Sequence, residues 1–209
     1  MKENDFQINE VLYYPQDKIY GLSYTDWIIK WWKFMFSVKI EDSLAIDTTG
    51  VNCQKRQKGP VWFLAGTLHT SKIKRTCRIP LGKSLFFPVI NTEWNRHEYQ
   101  SGDVLSLATK ARKNIDKVSR ISLLVDGKSL NLSNFRFGPI KFEVNIINKN
   151  FLNLPAGRVE LVSDGYWAGL KPLSVGKHDI LFEAEDPDME LQVIYEIDIQ
   201  PPINLRVIG

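Results

Sequence analysis

The clearest periodic segment of the chain is GLSYTDWIIKWWKFMFSV, which begins at residue 21. Its apolar positions recur every three or four residues, and the polar stripe between them is narrow and cationic. Ser23 is a suitable N-cap, with Asp26 three residues later as in a capping box. The pattern predicts an aromatic helix near 23–38. Because its surface is apolar on most sides, it favours burial in the protein, with a membrane-surface helix as the alternative.

A second helical pattern follows in SGDVLSLATKARKNIDKVSR, which begins at residue 101. Val104, Ala108, Ala111 and Ile115 recur at helical spacing, whereas the opposite positions carry Lys and Arg. This alternation predicts an amphipathic helix near 102–119 with a basic outer face.

Beyond residue 120 the apolar positions recur every two residues, as in strands. In MELQVIYEIDI, from residue 189, five alternating apolar side chains share one face, and Asp126-Gly127 is typical of a tight hairpin turn. Earlier, GPVWFLAGTL reads as a buried strand, and a turn over 80–83 separates two more. The pattern predicts a mainly β fold, an antiparallel β-sandwich of jelly-roll or immunoglobulin-like type, in one domain over 1–209.

The charged residues are unevenly distributed along the chain, although the net charge is only +3. Residues 51–120 carry 14 Lys and Arg against 4 Asp and Glu, whereas the rest carries 13 against 20. A basic face could meet an anionic partner, and two solvated surfaces of opposite sign are the alternative. Nucleic acid is disfavoured as a partner because exposed aromatics are not interleaved with these cations. No segment has the roughly 20 apolar residues of a membrane span.

Cys53 and Cys77 are the chain's two cysteines, and no histidine stands at metal-ligand spacing from either. The sequence therefore predicts no metal site and no cofactor. A disulfide between them stays open at this point, because disulfides depend on the redox compartment. The polar start, MKENDFQINE, has no apolar signal-peptide core, which indicates either a cytoplasmic protein or a mature form with an added Met.

Three carboxylates are candidates for catalysis, because each stands beside a predicted strand end next to glycine or aromatic residues. They are Asp47, Glu93 and Asp164. Two of them converging in a cleft could hydrolyse a glycosidic bond, one as acid and the other as base or nucleophile. The alternative is that each caps a turn or pairs with a nearby cation. His178 shares a predicted strand face with Ile180 and Phe182, which favours a structural histidine.

A ligand-binding surface is the other functional candidate. Exposed aromatic rings form platforms for sugars, and the suspected ones are Tyr166, Trp167 and Trp94. Arg75 and Arg78 flank Cys77 and could hold an anionic ligand. The sequence therefore favours a non-catalytic binding or structural module, for carbohydrate or another anionic surface ligand. A carboxylate-dependent hydrolase acting on carbohydrate and a membrane-surface protein are the alternatives.

Several motifs in one order also resemble a family of uncharacterised prokaryotic proteins that often carry signal peptides. They are DWIIKWWKFMFS, DTTGVNCQKRQKGPVWFLAGT, RTCRIPLGKSLFFPVIN, VDGKSL and SDGYWAGLKPLSVGKHDILF. The resemblance implies a β-rich protein that is extracytoplasmic or secreted, with Cys53 and Cys77 paired. It implies no catalytic role, because the family has no established activity.

Overall fold

The computed structural model describes residues 11–68, 72–97, 99 and 104–201. Within these ranges the chain forms two α-helices, one short 3-10 helix and nine strands. The helices are α1 (Tyr24–Phe36), the 3-10 turn Ile40–Asp42 and α2 (Val104–Asp116). The strands are β1 (Val61–Phe63), β2 (Ile73–Pro80), β3 (Ser84–Asn95), β4 (Arg120–Val125), β5 (Lys128–Ser129), β6 (Arg136–Ile146), β7 (Gly157–Leu170), β8 (Gly176–Asp186) and β9 (Met189–Gln200).

The strands build two mixed sheets. One has four strands in the order β1-β3-β7-β6, and the other has five in the order β2-β9-β8-β4-β5. The mainly β fold is confirmed, but the sheets are not antiparallel throughout, since β1 lies parallel to β3 and β2 lies parallel to β9. β2 and β3 flank the predicted turn, yet they belong to different sheets. The turn therefore carries the chain from one sheet to the other.

The four-stranded sheet lies between α1 and the five-stranded sheet. Phe86 and Phe87 are adjacent in β3 and so point to opposite faces. Phe86 contacts Tyr24 of α1, with ring centroids 5.5 Å apart, whereas Phe87 stacks on Phe182 of β8 at 5.2 Å. Both faces of β3 are therefore buried over most of its length, which accounts for its continuous apolar sequence.

Helix α1 begins at the predicted capping box, in which Ser23 and Asp26 satisfy each other's backbone N–H groups. Its tryptophans lie inside the protein, with Trp27 and Trp31 less than 10 % exposed. The indole of Trp27 donates to Ile19 O at 2.8 Å, so its polar edge is satisfied without solvent. The structure therefore agrees with burial in the core, the interpretation that the sequence favoured for this helix. Neither helix in the described ranges is long and apolar enough to cross a membrane.

Helix α2 and the five-stranded sheet both lie on the face of the four-stranded sheet that is opposite α1. Its residues Leu107 and Ala111 pack against Val162 of β7. Residues 102 and 103 of the predicted helix lie outside the described residues. The predicted hairpin turn joins β4 to β5, with Asp126 at φ +50° and Gly127 at φ +75°, the paired positive values of a type I′ turn.

Candidate functional site

Asp47 is the centre of the turn that leads to Cys53. Its Oδ1 accepts the N–H groups of Thr49 and Gly50, both at 2.9 Å, and its Oδ2 accepts that of Asn52 at 2.8 Å. Burial alone would raise the pKa of Asp47, but these donors outweigh burial and lower the pKa below its usual value. A buried carboxylate engaged in this way orders a turn and does not face a substrate.

The turn is tied to β2 by the disulfide between Cys53 and Cys77. Thr76 N donates to Thr49 O at 2.9 Å beside this bridge. Gly50 has φ +93°, and a Cβ there would lie 2.3 Å from Thr76 O, so only glycine fits this close approach. The structure therefore contains the disulfide that the family resemblance implies.

Asp164 and Glu93 lie on opposite faces of the four-stranded sheet. Glu93 pairs with Ser163, the neighbour of Asp164 in β7, and Ser163 Oγ accepts the indole N–H of Trp32 from α1. Asp164 points the other way and is fully buried against Arg136, which donates to its carboxylate at 3.1 and 2.9 Å. The two carboxylates therefore do not form the converging pair that glycoside hydrolysis needs.

The three suspected aromatic platforms are covered to different degrees. Trp167 has no exposed surface and contacts Trp31 of α1 at 5.2 Å between centroids, so it is a core residue and not a sugar platform. Trp94 is partly buried, and Lys110 of α2 lies over its ring at 4.7 Å. Tyr166 is partly buried against the core. These three rings do not share one open surface.

Arg75 is fully buried, which corrects the prediction that it binds an anionic ligand. Its guanidinium donates to four main-chain carbonyls and one phenol, which together use its five N–H groups. The acceptors are Asp47 O at 2.7 Å, Ala65 O at 2.6 Å, Leu44 O at 2.6 Å, Gly66 O at 2.9 Å and the hydroxyl of Tyr195. The residue therefore joins the segments around residues 44–47 and 65–66 to β9.

The cations around the disulfide differ in their surroundings. Arg78 lies on the exposed face of β2, on the side away from Arg75. On the same face, Lys74 forms an ion pair with Glu196 at 2.8 Å. Lys55 forms an ion pair with Asp42. Of the residues predicted to bind an anion, Arg78 alone is placed toward solvent.

His178 belongs to a cluster that the sequence did not indicate. Its Nδ1 lies 2.7 Å from Asp126 Oδ2, and its Nε2 lies 3.3 Å from Ser174 Oγ, the residue types of a hydrolytic triad. Nε2 is nearer to the main-chain carbonyl of Ser174, at 2.9 Å. Each ring nitrogen thus lies within hydrogen-bond distance of an oxygen, so the ring crosslinks a loop to the hairpin turn. Across the described ranges, no group of three or more His, Cys, Asp or Glu is placed to hold a metal ion.

The best candidate site is a cleft of about 270 Å³ between α1 and the ends of the two sheets. Apolar and aromatic side chains form its walls, and Leu68 and Met189 are the most exposed apolar residues around it. The wall is contributed by α1, the segment after β1, the second half of β3, the loop before β7 and the start of β9. These wall residues include Trp31, Trp32, Met35, Ala65, Gly66, Val89, Phe151 and Leu191.

The polar side of this cleft is a short stretch of β3. Asn91, Thr92 and Glu93 line it, and the carboxylate of Glu93 accepts Asn95 Nδ2 at 3.2 and 3.3 Å. The Nδ2 group of Asn91 is buried and has no hydrogen-bond partner among the described residues. An unmade hydrogen bond at a buried donor costs about 1–3 kcal/mol, so a ligand acceptor that reached this amide would recover that cost.

The sequence indicated parts of this cleft but not the cleft itself. The aromatic face of α1 and the apolar run of β3 were both recognised as buried elements. What brings them to one cavity is the path of residues 64–68, whose carbonyls at Ala65 and Gly66 are held by Arg75. No local pattern in the sequence reveals that contact.

Comparisons with known proteins give little to add to this geometry. The chain matches no family model and no curated protein. Among solved structures, it is similar to a cysteine protease inhibitor, EhICP2, from Entamoeba histolytica, with 11% identity, a TM-score of 0.26 and coverage of 67% of this chain and 96% of that one. It is also similar to PbICP-C in complex with falcipain-2, with 17% identity, a TM-score of 0.27 and coverage of 68% and 100%. Similarity at these TM-scores carries no argument about this chain.

Proposed function

We propose that this protein is a non-catalytic binding protein whose cleft holds a small apolar molecule bearing a neutral hydrogen-bond acceptor. The observation that carries the proposal is the cleft of about 270 Å³, with aromatic and aliphatic walls and one buried amide donor, Asn91 Nδ2, that has no partner among the described residues. Ligand sites are typically apolar cavities with a few placed polar groups. A cavity of about 150 Å³ already holds a benzene-sized molecule.

The positions of the candidate acids support a role without catalysis. Asp47 is engaged by its own turn, and Asp164 is fully buried against Arg136. Glu93 is the one of the three that lines the cleft. Hydrolysis by two carboxylates needs both groups on the same substrate, and here a single carboxylate is in place.

The same geometry refines the class of ligand. A stacked sugar needs an open aromatic face, whereas Trp167 is fully buried and Trp94 is covered by Lys110. An anionic ligand would have to be desolvated between the mostly apolar walls of the cleft. A ketone, an ester or an alcohol with a compact apolar body fits both the walls and the amide donor.

The proposal extends to the compartment and to the type of sandwich. The Cys53–Cys77 disulfide fits a protein that works in an oxidising compartment, outside the cytoplasm. The burial of the Trp27 and Trp31 face argues against the membrane-surface alternative, which needs that face exposed. A jelly-roll or immunoglobulin-like arrangement stays a prediction.

The test is a titration with 2-heptanone, followed by tryptophan fluorescence and by NMR of the indole N–H groups. Trp31 and Trp32 line the cleft, so binding should change their signals. Heptanoate, with the same chain length and a negative charge, should bind at least about fivefold more weakly because its carboxylate must be desolvated between apolar walls. Asn91→Leu should weaken 2-heptanone severalfold and leave toluene binding unchanged.

A cleft-filling variant provides the matched control. At Gly66 a Cβ would have Leu191 Cδ2, at 3.8 Å, as its nearest neighbour, so the position has room for a Cβ beside a cleft-lining residue, and Gly66→Leu is the variant chosen to extend into the cleft. It should abolish the spectral change, whereas Ala156→Leu, on the exposed surface, should not. If 2-heptanone and toluene leave the wild-type indole signals unchanged up to their solubility, the cleft does not have this function.

A further inference from the structure

The outer edge of β6 is an open edge of the four-stranded sheet. Among the strands that the structure describes, β6 pairs with β7 on one side and with none on the other. Within the described ranges, no backbone hydrogen bond reaches residues 140–146 from outside the β6–β7 ladder, and the first one beyond joins Ile147 N to Phe36 O at 3.3 Å. Open edges present N–H and C=O groups that pair readily with another extended chain.

A groove runs between this edge and the flank of α1, and we call it the edge groove. It has a volume of about 600 Å³. At one end, the rings of Tyr24 and Phe137 stack with centroids 4.6 Å apart, and at the other end Ile147 N donates to Phe36 O. Helix α1 therefore runs in the same direction as β6 and forms one wall of the edge groove. The residues that line the edge groove are Ile29, Lys33, Ser37, Phe142, Glu143, Val144, Asn145 and Arg158.

The base of the edge groove is apolar, and the charged side chains that line it have a net positive charge. Phe142 and Val144 point inward and are nearly buried, and Ile29 is half-buried above them. Glu143 forms an ion pair with Arg158, so these two charges offset each other. Lys33 is exposed and has no ion-pair partner within the described ranges. The unbalanced charge that faces an incoming chain is therefore positive.

We propose that the edge groove is a docking site for an extended acidic segment of a partner protein, which adds to β6 as a fifth strand. The peptide backbone would supply the main-chain hydrogen bonds that the edge lacks, as in β-strand addition generally. Alternate side chains of the segment would lie over Ile29 and Val144, and its acidic side chains would face Lys33. This site is separate from the cleft, so its test is independent of the proposed function.

The test uses a seven-residue N-acetylated peptide of alternating glutamate and valine, titrated into the isotopically labelled full-length chain. The amide signals of residues 140–146 should shift and their hydrogen exchange should slow, because new main-chain bonds form there. A lysine–valine peptide of the same length should bind at least about fivefold more weakly. A version N-methylated on alternate residues, chosen to remove the pairing N–H groups, should lose binding.

Lys33→Glu tests the charge without touching the core, because Lys33 is exposed on the helix surface. It should weaken the acidic peptide about fivefold to tenfold and strengthen the lysine–valine peptide. Lys128→Glu, an equal charge change on an exposed residue of β5, should change neither. The proposal is overturned if the acidic peptide leaves the β6 amides unshifted at millimolar concentration, or if Lys33→Glu and Lys128→Glu weaken it equally. A dimer detected by sedimentation, with the β6 amides protected from exchange in the absence of peptide, would also overturn the proposal.

Discussion

Arg75 and Arg136 each join separate segments of the chain, but their surroundings differ in kind. Arg75 is fully buried, and its partners are main-chain carbonyls and a phenol. Arg136 is partly exposed, and its guanidinium bridges Asp164 of β7 to Asp116 of α2. Hydrogen bonds to Asp164 raise the pKa of Arg136 above its usual value, and those to Asp116 add to the effect.

This difference separates two ways of holding a charge inside a protein. Around Arg75, oriented backbone dipoles replace water, and the charge fixes the path of the segment that walls the cleft. Around Arg136, opposite charges balance each other, and the bridge attaches α2 to the sheet. The stability that Arg75 provides depends on its number of hydrogen-bond donors, whereas the stability that Arg136 provides depends on the balance of charge. Substitutions that change one property at a time distinguish them.

The largest effect is expected at Arg75. Arg75→Met should lower the free energy of unfolding by about 3–5 kcal/mol, because several buried carbonyls lose their donor. Arg75→Lys keeps the charge but has three donors in place of five, so its loss should be intermediate. Urea unfolding followed by circular dichroism measures both. Equal stability of the lysine variant and the wild type would show that charge, and not donor number, is what matters there.

At Arg136 the expected loss is about 3 kcal/mol, because Arg136→Met leaves the buried carboxylate of Asp164 without its partner. Combining it with Asp164→Leu should recover much of that loss, since no uncompensated charge then remains. The measurement is a double-mutant cycle in urea. A double variant less stable than Arg136→Met would contradict the dependence on charge balance.

The disulfide sharpens the comparison, because it ties down the same turn that Arg75 holds. Cys53 and Cys77 are 24 residues apart, and closing such a loop contributes about 3 kcal/mol in the chain-entropy model. Replacing both cysteines by alanine should therefore cost about that much, and reductant should then have no further effect. Urea unfolding with and without reductant provides the measurement, and a wild type insensitive to reductant under unfolding conditions would contradict it.

Local patterns predicted the elements of this fold well. The capping box at Ser23, the buried face of β9 and the Asp126-Gly127 hairpin each depend on residues a few positions apart, and all three are present. The predicted turn over 80–83 is also present, but no local signal showed that it changes sheets. Parallel pairing of β2 with β9 joins residues more than a hundred positions apart, which periodicity does not encode.

The candidate site was harder to predict for the same reason. Arg75 looked like a surface cation, because its partners at Leu44 and Tyr195 lie 31 and 120 residues away. Glu93 and Asp164 were two of the three candidate acids because each stands beside a predicted strand end, yet the register of β3 and β7 sends them to opposite faces. A one-residue difference in register decides the face of a side chain, and the sequence does not fix it.

Asp47 gives a smaller and pH-dependent effect in the Arg75 region. Its pKa is lower in the folded protein than in the unfolded chain, so its stabilising contribution is present above the unfolded value, near 4, and is lost as the pH falls through the folded value. Asp47→Asn should cost about 1 kcal/mol at pH 7 and progressively less as the pH falls through the folded value. Urea unfolding across this pH range tests it, and a cost that does not change with pH would contradict it.

The smallest effect is expected from the pair between Lys74 and Glu196, which lies on the solvent-exposed face of β2 and β9. Their hydrogen bond raises the pKa of Lys74 and lowers that of Glu196, yet both groups stay in contact with water, which screens the attraction. Lys74→Gln should therefore leave the urea midpoint unchanged within error, at both low and high salt. A clear shift that disappears in 1 M salt would show that exposed charges also stabilise this fold, and would weaken the contrast with Arg75 and Arg136.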